Sequence, residues 1–183
     1  MQSSVEIATI GHSNATAEEI IALLQAHHIA LLVDVRSAPY SQYAPQFNRE
    51  TFARTLETAG IAYVFAGNHL GGRPTDPTCY KSGALPTGHV SYLDLVDYGA
   101  VAQRPWYQRG VSRLVELAAE RPTAIMCSEE DPLRCHRHHL IAQTLLTQGI
   151  PVWHIRRGGR REAATATTDA PGPQQLGLFA PTE

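Results

Sequence analysis

Apolar runs alternate with amphipathic segments along most of the chain, the pattern of a sheet whose strands are joined by helices. "VEIATIG" opens as a strand. "TAEEIIALLQAHH" follows as a helix, with Thr16 and Glu19 forming a capping box and Ile20, Ile21, Leu24 and His28 on one face. "ALLVDVR" is a second strand, apolar on both faces and therefore central in a parallel sheet. "NRETFARTLETAG" reads as a helix from an N-cap at Asn48 to a stop at Gly60, and "IAYVFA" as a third strand. Residues 67–98 lose the pattern. They are rich in Gly, Pro, Thr and Ser, and so long a connection is read as an active-site loop or lid. The rhythm returns with a helix at "PWYQRGVSRLVELAAER", Pro105 in its first turn, then a strand at "PTAIMC", a helix at "HRHHLIAQTLLTQG" and a last strand at "IPVWHIR". The expected fold is a single α/β domain over residues 1–158, with a mainly parallel open sheet flanked by helices. A disordered tail over residues 159–183 is expected to follow, where Ala, Thr, Pro and Gly replace core residues.

Composition narrows the function without naming it. A length of 183 residues supports one sizeable core rather than two. A formal charge of −2 excludes a globally basic nucleic-acid coat but leaves room for a local anion site. The N-terminus lacks a basic region followed by a long apolar core, and no run of apolar residues is long enough to span a bilayer. A cytoplasmic protein with no membrane partner is expected. Three cysteines without an export signal argue for reduced thiols that are buried, metal-bound or reactive, rather than a disulfide scaffold.

In an open parallel sheet, ligands bind beyond the carboxyl ends of the strands. Here those ends carry Gly11–Asn14 with His12 and Ser13, Asp34 and Arg36, Gly71, Gly72 and Arg73, and the stretch "CSEEDPLRCHRHH". The helix register turns His136 and Arg137 toward the sheet and His139 outward. Cations at a helix N-terminus are disfavoured by the macrodipole unless an anion lies between them, so Arg134, His136 and Arg137 invite a phosphate, sulfate or carboxylate.

Cys127, beside those cations, is the candidate nucleophile, with Cys135 as a resolving or substrate-contacting partner; the alternative is a small apolar residue finishing a buried strand. Glu129 and Asp34 are acid–base candidates, although Asp34 serves equally as the ion-pair partner of Arg36. His12 is read either as a proton carrier or as a capping residue. Gly71, Gly72 and Arg73 fit a backbone held against an anion, or a plain turn. Tyr40, with Tyr43 and Phe47, either stacks on a base or sugar or packs its own loop. No cofactor is expected. A zinc set of Cys127, Cys135, His136 and His139 is disfavoured, because the cysteines are spaced unlike the close pairs of structural zinc sites.

Taken together, "TIGHSN", "LVDVRSAPYSQYAPQFN", "GIAYVFAGNHLGGRP" and "MCSEEDPLRCHRHHLIA" resemble the bacterial and archaeal family called domain of unknown function 488 (DUF488). The resemblance runs from residue 5 to about 156 and is strongest at Cys127, Glu129, Pro132, Cys135, His136 and Arg137. It implies an α/β domain with a shared polar site and brings no settled reaction. The chain departs from the family at "SYLDLVDYGAVAQ", where a more aromatic "YADYM"-type stretch is usual. "LVDVR" is also similar to rhodanese domains, whose cysteine sits in a shorter, tighter loop than "CSEEDPLR".

In the tail, "QLGLF" is similar to the pentapeptide by which bacterial repair and replication proteins dock on the sliding clamp, with Gln175, Leu176, Leu178 and Phe179 as the contacts. The alternative is an arbitrary apolar patch. The first expectation is an enzyme processing a nucleotide or nucleic acid, associated with DNA repair, acting on a phosphate-bearing substrate and tethered to the clamp. The alternatives are a nucleotide- or redox-sensing binding module, and a small-molecule thiol enzyme of rhodanese- or phosphatase-like chemistry.

Overall fold

A computed structural model describes residues 5–88 and 90–167. Six strands form one sheet in the order β3-β2-β4-β1-β5-β6: β1 (Ile7–Gly11), β2 (Leu31–Asp34), β3 (Ala62–Phe65), β4 (Thr123–Cys127), β5 (Val152–Ile155) and β6 (Arg161–Ala163). The first five are parallel, as the alternating pattern implies, and β6 is antiparallel to β5. β1, β2 and β4 are buried along their whole length, which is why they read as continuous apolar runs.

Side chains two apart along a strand share a face, and the core splits accordingly. Ala8, Ile10, Leu32, Ala124 and Met126 pack under α1 (Ala17–Ala26) and α2 (Arg49–Thr58) through Ile20, Leu24, Phe52 and Leu56. Ile7, Val33 and Ile125 face the other layer. There they meet Tyr107, Val111 and Leu114 and the Leu140–Leu145 stretch. The Thr16 capping box forms as expected, with Thr16 N–H donating to Glu19 at 2.7 Å and Glu19 N–H to Thr16 at 3.2 Å. Asn48 occupies the N-cap position of α2, yet its side chain accepts from Ser41 N–H at 2.7 Å rather than from the helix.

Three features depart from the sequence pattern. The region read as one loop contains α3 (Gly67–Leu70), α4 (Tyr92–Leu95) and the start of α5 (Tyr98–Ala102), elements too short to show periodicity; α6 (Pro105–Glu120) follows. The helix expected from residue 136 begins as a π-helical stretch, Arg137–Ala142, before α7 (Gln143–Thr147). That wider turn buries His138 along with His136 and Arg137, whereas His139 is partly exposed and bonds the Leu133 carbonyl. Finally, the sheet does not stop near Gly158. Gly158 and Gly159, both at positive φ, turn the chain so that β6 returns along β5, and Arg161 lies 3.6 Å over the Trp153 ring. No helix among the described residues is long and apolar enough to cross a membrane.

A polar seam runs through the otherwise apolar layer below β1. Arg137 donates to Thr9 Oγ1 at 2.6 Å, so the Thr9 hydroxyl donates onward to His154 Nδ1 at 2.7 Å, and His154 Nε2–H points at His138 Nδ1 at 3.2 Å. Burial, then the Arg137 charge, push His154 down to about 3. The unfolded chain takes up a proton near pH 6.5 that the folded chain refuses until about pH 3, so stability falls as pH drops through that window. The slope of unfolding free energy between pH 6.5 and 4.5, read from urea melts, is expected to be shallower in His154→Gln by up to about 1.4 kcal/mol per pH unit. An unchanged slope would show that His154 is not the group responsible.

Candidate active site

The central parallel strands bring their carboxyl ends to one edge, where Gly11 stands opposite Cys127 and Asp34 opposite Met126. Beyond Cys127 the chain crosses over β1 before turning at the 3-10 segment Pro132–Arg134, which Asp131 caps by accepting from Leu133 N–H at 3.0 Å. The crossing is close: a Cβ on Gly11 would stand 1.7 Å from the Glu129 carbonyl oxygen. Ser13, at φ 42°, donates its N–H to the Ser128 carbonyl at 2.6 Å. A cleft of about 640 Å³ opens at this edge. Cys127, Glu129, Cys135 and His136 line it on one side, and Ser13, Arg36, Gly72, Arg73 and Arg134 line it around them. The His136 ring packs so tightly on Gly72 that a side chain there would meet it at 2.6 Å, which explains a glycine at that position.

His136 stands between the two thiols. Its Nε2 faces the Leu70 carbonyl at 3.1 Å, which places the proton on Nε2 and leaves Nδ1 toward the thiols, 3.6 Å from Cys127 Sγ and 3.7 Å from Cys135 Sγ. Glu129 Oε2 lies 3.5 Å from Cys127 Sγ. The Cys135 thiol, hydrogen bonding to Cys127, and then the His136 imidazolium hold the Cys127 thiol well below its ordinary range in spite of burial. Burial, and then the Cys127 charge, push Cys135 the other way. Burial also works against a charged His136, and the neighbouring thiolate overrides it, leaving the imidazole above its ordinary range. Glu129 is raised by burial first and by the same thiolate second. These neighbours thus favour the charged forms of Cys127 and His136 and make the Glu129 carboxyl a weaker acid.

Several residues singled out in the sequence stand behind the cleft rather than in it. Asp34 is fully buried and spends both oxygens on Arg36 and the Tyr63 hydroxyl, so it positions Arg36 rather than acting as an acid or base. His12 lies 3.3 Å from Arg36 and stacks on Phe47; burial lowers its basicity. Arg137 is a correction to the anion-site reading. It is 0% exposed beneath the cleft, donating to Thr9 and to the carbonyls of Glu129 and Glu130. The helix register aimed it inward correctly, but the π-helical turn sends it under the loop. Asn14 is held by Arg157, and Tyr40 is exposed and bonded to Glu50. Gly71 abuts Ser37, whose hydroxyl accepts from Arg73 N–H at 3.0 Å. Gln175, Leu176, Leu178 and Phe179 lie outside the described residues.

Other contributors were not legible in the sequence. Tyr98 lines the cleft near both thiols and Glu129, and burial holds its phenol protonated, making it a neutral donor there. Tyr92 carries Arg73 4.6 Å over its ring. Arg156 grips Glu130 at 2.9 Å and Glu162 of β6 at 2.8 Å, tying the crossing loop to the strand past Gly158. Its side-chain hydrogen bonds pull Glu130 down to about 2.

The fold and this edge define an α/β domain with a cysteine–histidine–carboxylate centre. The family model for domain of unknown function DUF488 matches residues 16–144, so the chain belongs to that family. The match includes the whole reactive stretch, whereas "TIGHSN" on β1 lies outside it. Neither the curated proteins nor the solved structures contain a match to the chain.

The crossing over Gly11 gives a direct check. Gly11→Ala is expected to lower stability by about 1–3 kcal/mol, because the Glu129 backbone must move off β1. Thermal melting reads it, and a variant as stable as the wild type would show that the loop does not cross there.

Proposed function

We propose that the chain is an enzyme that cleaves a bond in a phosphate-bearing substrate, a nucleotide or a modified or damaged nucleic acid. The observation that carries this reading is a single cleft lined both by the Cys127, Glu129 and His136 cluster and by Arg36, Arg73 and Arg134. Arg36 is fixed by Asp34, and Arg73 is laid on Tyr92. Two oriented cations with a third at Arg134 suit an anion of several oxygens. Glu129 is the acid–base group, a carboxyl 3.5 Å from Cys127 Sγ that burial makes a weaker acid than usual. Cys127 supplies a thiolate electron pair deep in the cleft, and His136 sustains it. Tethering to the sliding clamp through Gln175, Leu176, Leu178 and Phe179 completes the proposal, and the resemblance of that pentapeptide is its support.

Binding and chemistry are separable in the test. Nucleotides and oligonucleotides carrying altered bases are screened for binding and turnover against the wild type, Arg134→Ala and Glu129→Gln. Arg134→Ala is expected to weaken binding roughly tenfold or more. Glu129→Gln is expected to leave binding in place while lowering turnover by about 10²–10⁴. Full turnover by Glu129→Gln, or no substrate whose binding Arg134→Ala weakens, would refute the reading. Clamp pull-down with and without residues 175–179 tests the tether alone.

A further inference from the structure

Cys135 has no part in the chemistry just described, yet it sits beside the same imidazole nitrogen as Cys127. The Sγ atoms of both cysteines and Nδ1 of His136 all lie within 4.8 Å of one another, with Nδ1 3.6 Å from one sulfur and 3.7 Å from the other. Tetrahedral zinc, with Zn–S of about 2.3 Å and Zn–N of about 2.0–2.1 Å, has S···N edges of about 3.5 Å and S···S edges of about 3.8 Å. The two S···N distances match those edges, and the three donor atoms surround one shared point.

We propose that Cys127, Cys135 and His136 bind a zinc ion whose fourth position opens into the cleft beside Glu129. Two thiolates and an imidazole are soft and borderline donors, the set that selects zinc over magnesium or calcium. The partners around the donors fit as well. His136 donates its other ring N–H to the Leu70 carbonyl at 3.1 Å, as histidines that ligate metal do, which frees Nδ1 for the ion. The Arg137 backbone N–H points at Cys135 Sγ at 3.5 Å. Two thiolates with one dication add to zero charge, which removes the cost of burying a second thiol group in this layer. The Pro132–Arg134 turn folds the chain back so that cysteines far apart by the rule for close pairs become neighbours. His139 is not part of the set, because its ring is bonded to Leu133 on the outer side.

Three protein ligands with an open position is the form of a catalytic rather than a structural zinc site. This part of the inference rests on the bond-cleaving reading above, with the Cys127 electron pair given to the metal and Glu129 kept as the acid–base group. A water in the open position gives a proton to the Glu129 carboxylate, and its oxygen forms a bond to the electrophilic atom of the substrate. The bond to the leaving group breaks, and Glu129 passes the proton to that group. One water is consumed, and no electron is gained or lost. Zinc ligated by histidine and cysteines, with an adjacent glutamate that is not a ligand, is the arrangement of nucleobase deaminases, so displacement at a nucleobase carbon fits the same donors.

The test reads the metal itself. Full-length protein purified under reductant is analysed for metal, stripped with a chelator and titrated with Zn²⁺ and Co²⁺. About one zinc per chain is expected. Co²⁺ should give tetrahedral d–d bands and a thiolate-to-cobalt charge-transfer band. Cys135→Ser should weaken Zn²⁺ binding at least roughly 100-fold, since even an outer-sphere partner is worth about 10–100-fold. His139→Ala and Glu129→Gln should keep both the metal and the cobalt spectrum. Wild-type protein that carries no zinc and takes up neither ion overturns the inference, whatever the variants do. So does a cobalt spectrum without the thiolate band. If metal is absent while Glu129→Gln still loses turnover, the metal site falls and the proposed function stands. If metal binds but no nucleotide or oligonucleotide does, the reverse holds.

Discussion

The buried guanidinium of Arg137 is the interaction on which the site depends. It joins the central strand through Thr9, the crossing loop through the carbonyls of Glu129 and Glu130, and its own helix, which begins with His136. No carboxylate pairs with it among the described residues. A cation taken out of water in this way costs several kcal/mol unless its donors are satisfied. Burial does pull Arg137 down, and the fields of Cys135, Cys127 and Glu130 offset this. The dependence therefore runs both ways: negative charge at the thiols stabilises the arginine, and the arginine holds the loop that carries Glu129.

Around that anchor the fold resolves into a rigid half and an assembled half. β1, β2 and β4 set the positions of Gly11, Arg36 and Cys127 to within the register of a parallel sheet. The opposing wall comes from short elements, α3 to α5, and the turns between them, which bring Gly72, Arg73, Tyr92 and Tyr98 to the cleft. Those pieces are fixed by few backbone bonds of their own. They hold through contacts such as Tyr80 to the Pro74 carbonyl and the bridge between Tyr80 and Val96.

What could be read from the sequence follows from how each feature is encoded. Buried parallel strands and capped helices leave long periodic signals, so five strands and the Thr16 box were legible. Ser13, Arg36, Gly72, Arg73 and Cys127 line one cleft, as topology alone led one to expect of the strand ends. Asn14, Tyr40 and Arg137 were placed at the right ends of their elements, but the final direction of each side chain is set by a partner on another element: Arg157, Glu50 and Thr9. β6 has three residues and no periodicity, and Tyr98 sits in a stretch where glycine and proline hide short helices. The sequence allowed Cys127 and Cys135 to pair, but their spacing hid the nitrogen of His136 that they share, since a turn at Pro132 sets that arrangement.

The hairpin made by Gly158 and Gly159 has a consequence for how the molecule is handled. β5 is buried, and β6 is what occupies its outer hydrogen-bonding edge. A chain cut at Gly158, where the periodic pattern ends, would present the free amides and carbonyls of β5 to any other extended strand. Such a truncated protein would tend toward self-association and fibre-like aggregates, and Arg156 would keep Glu130 but lose Glu162.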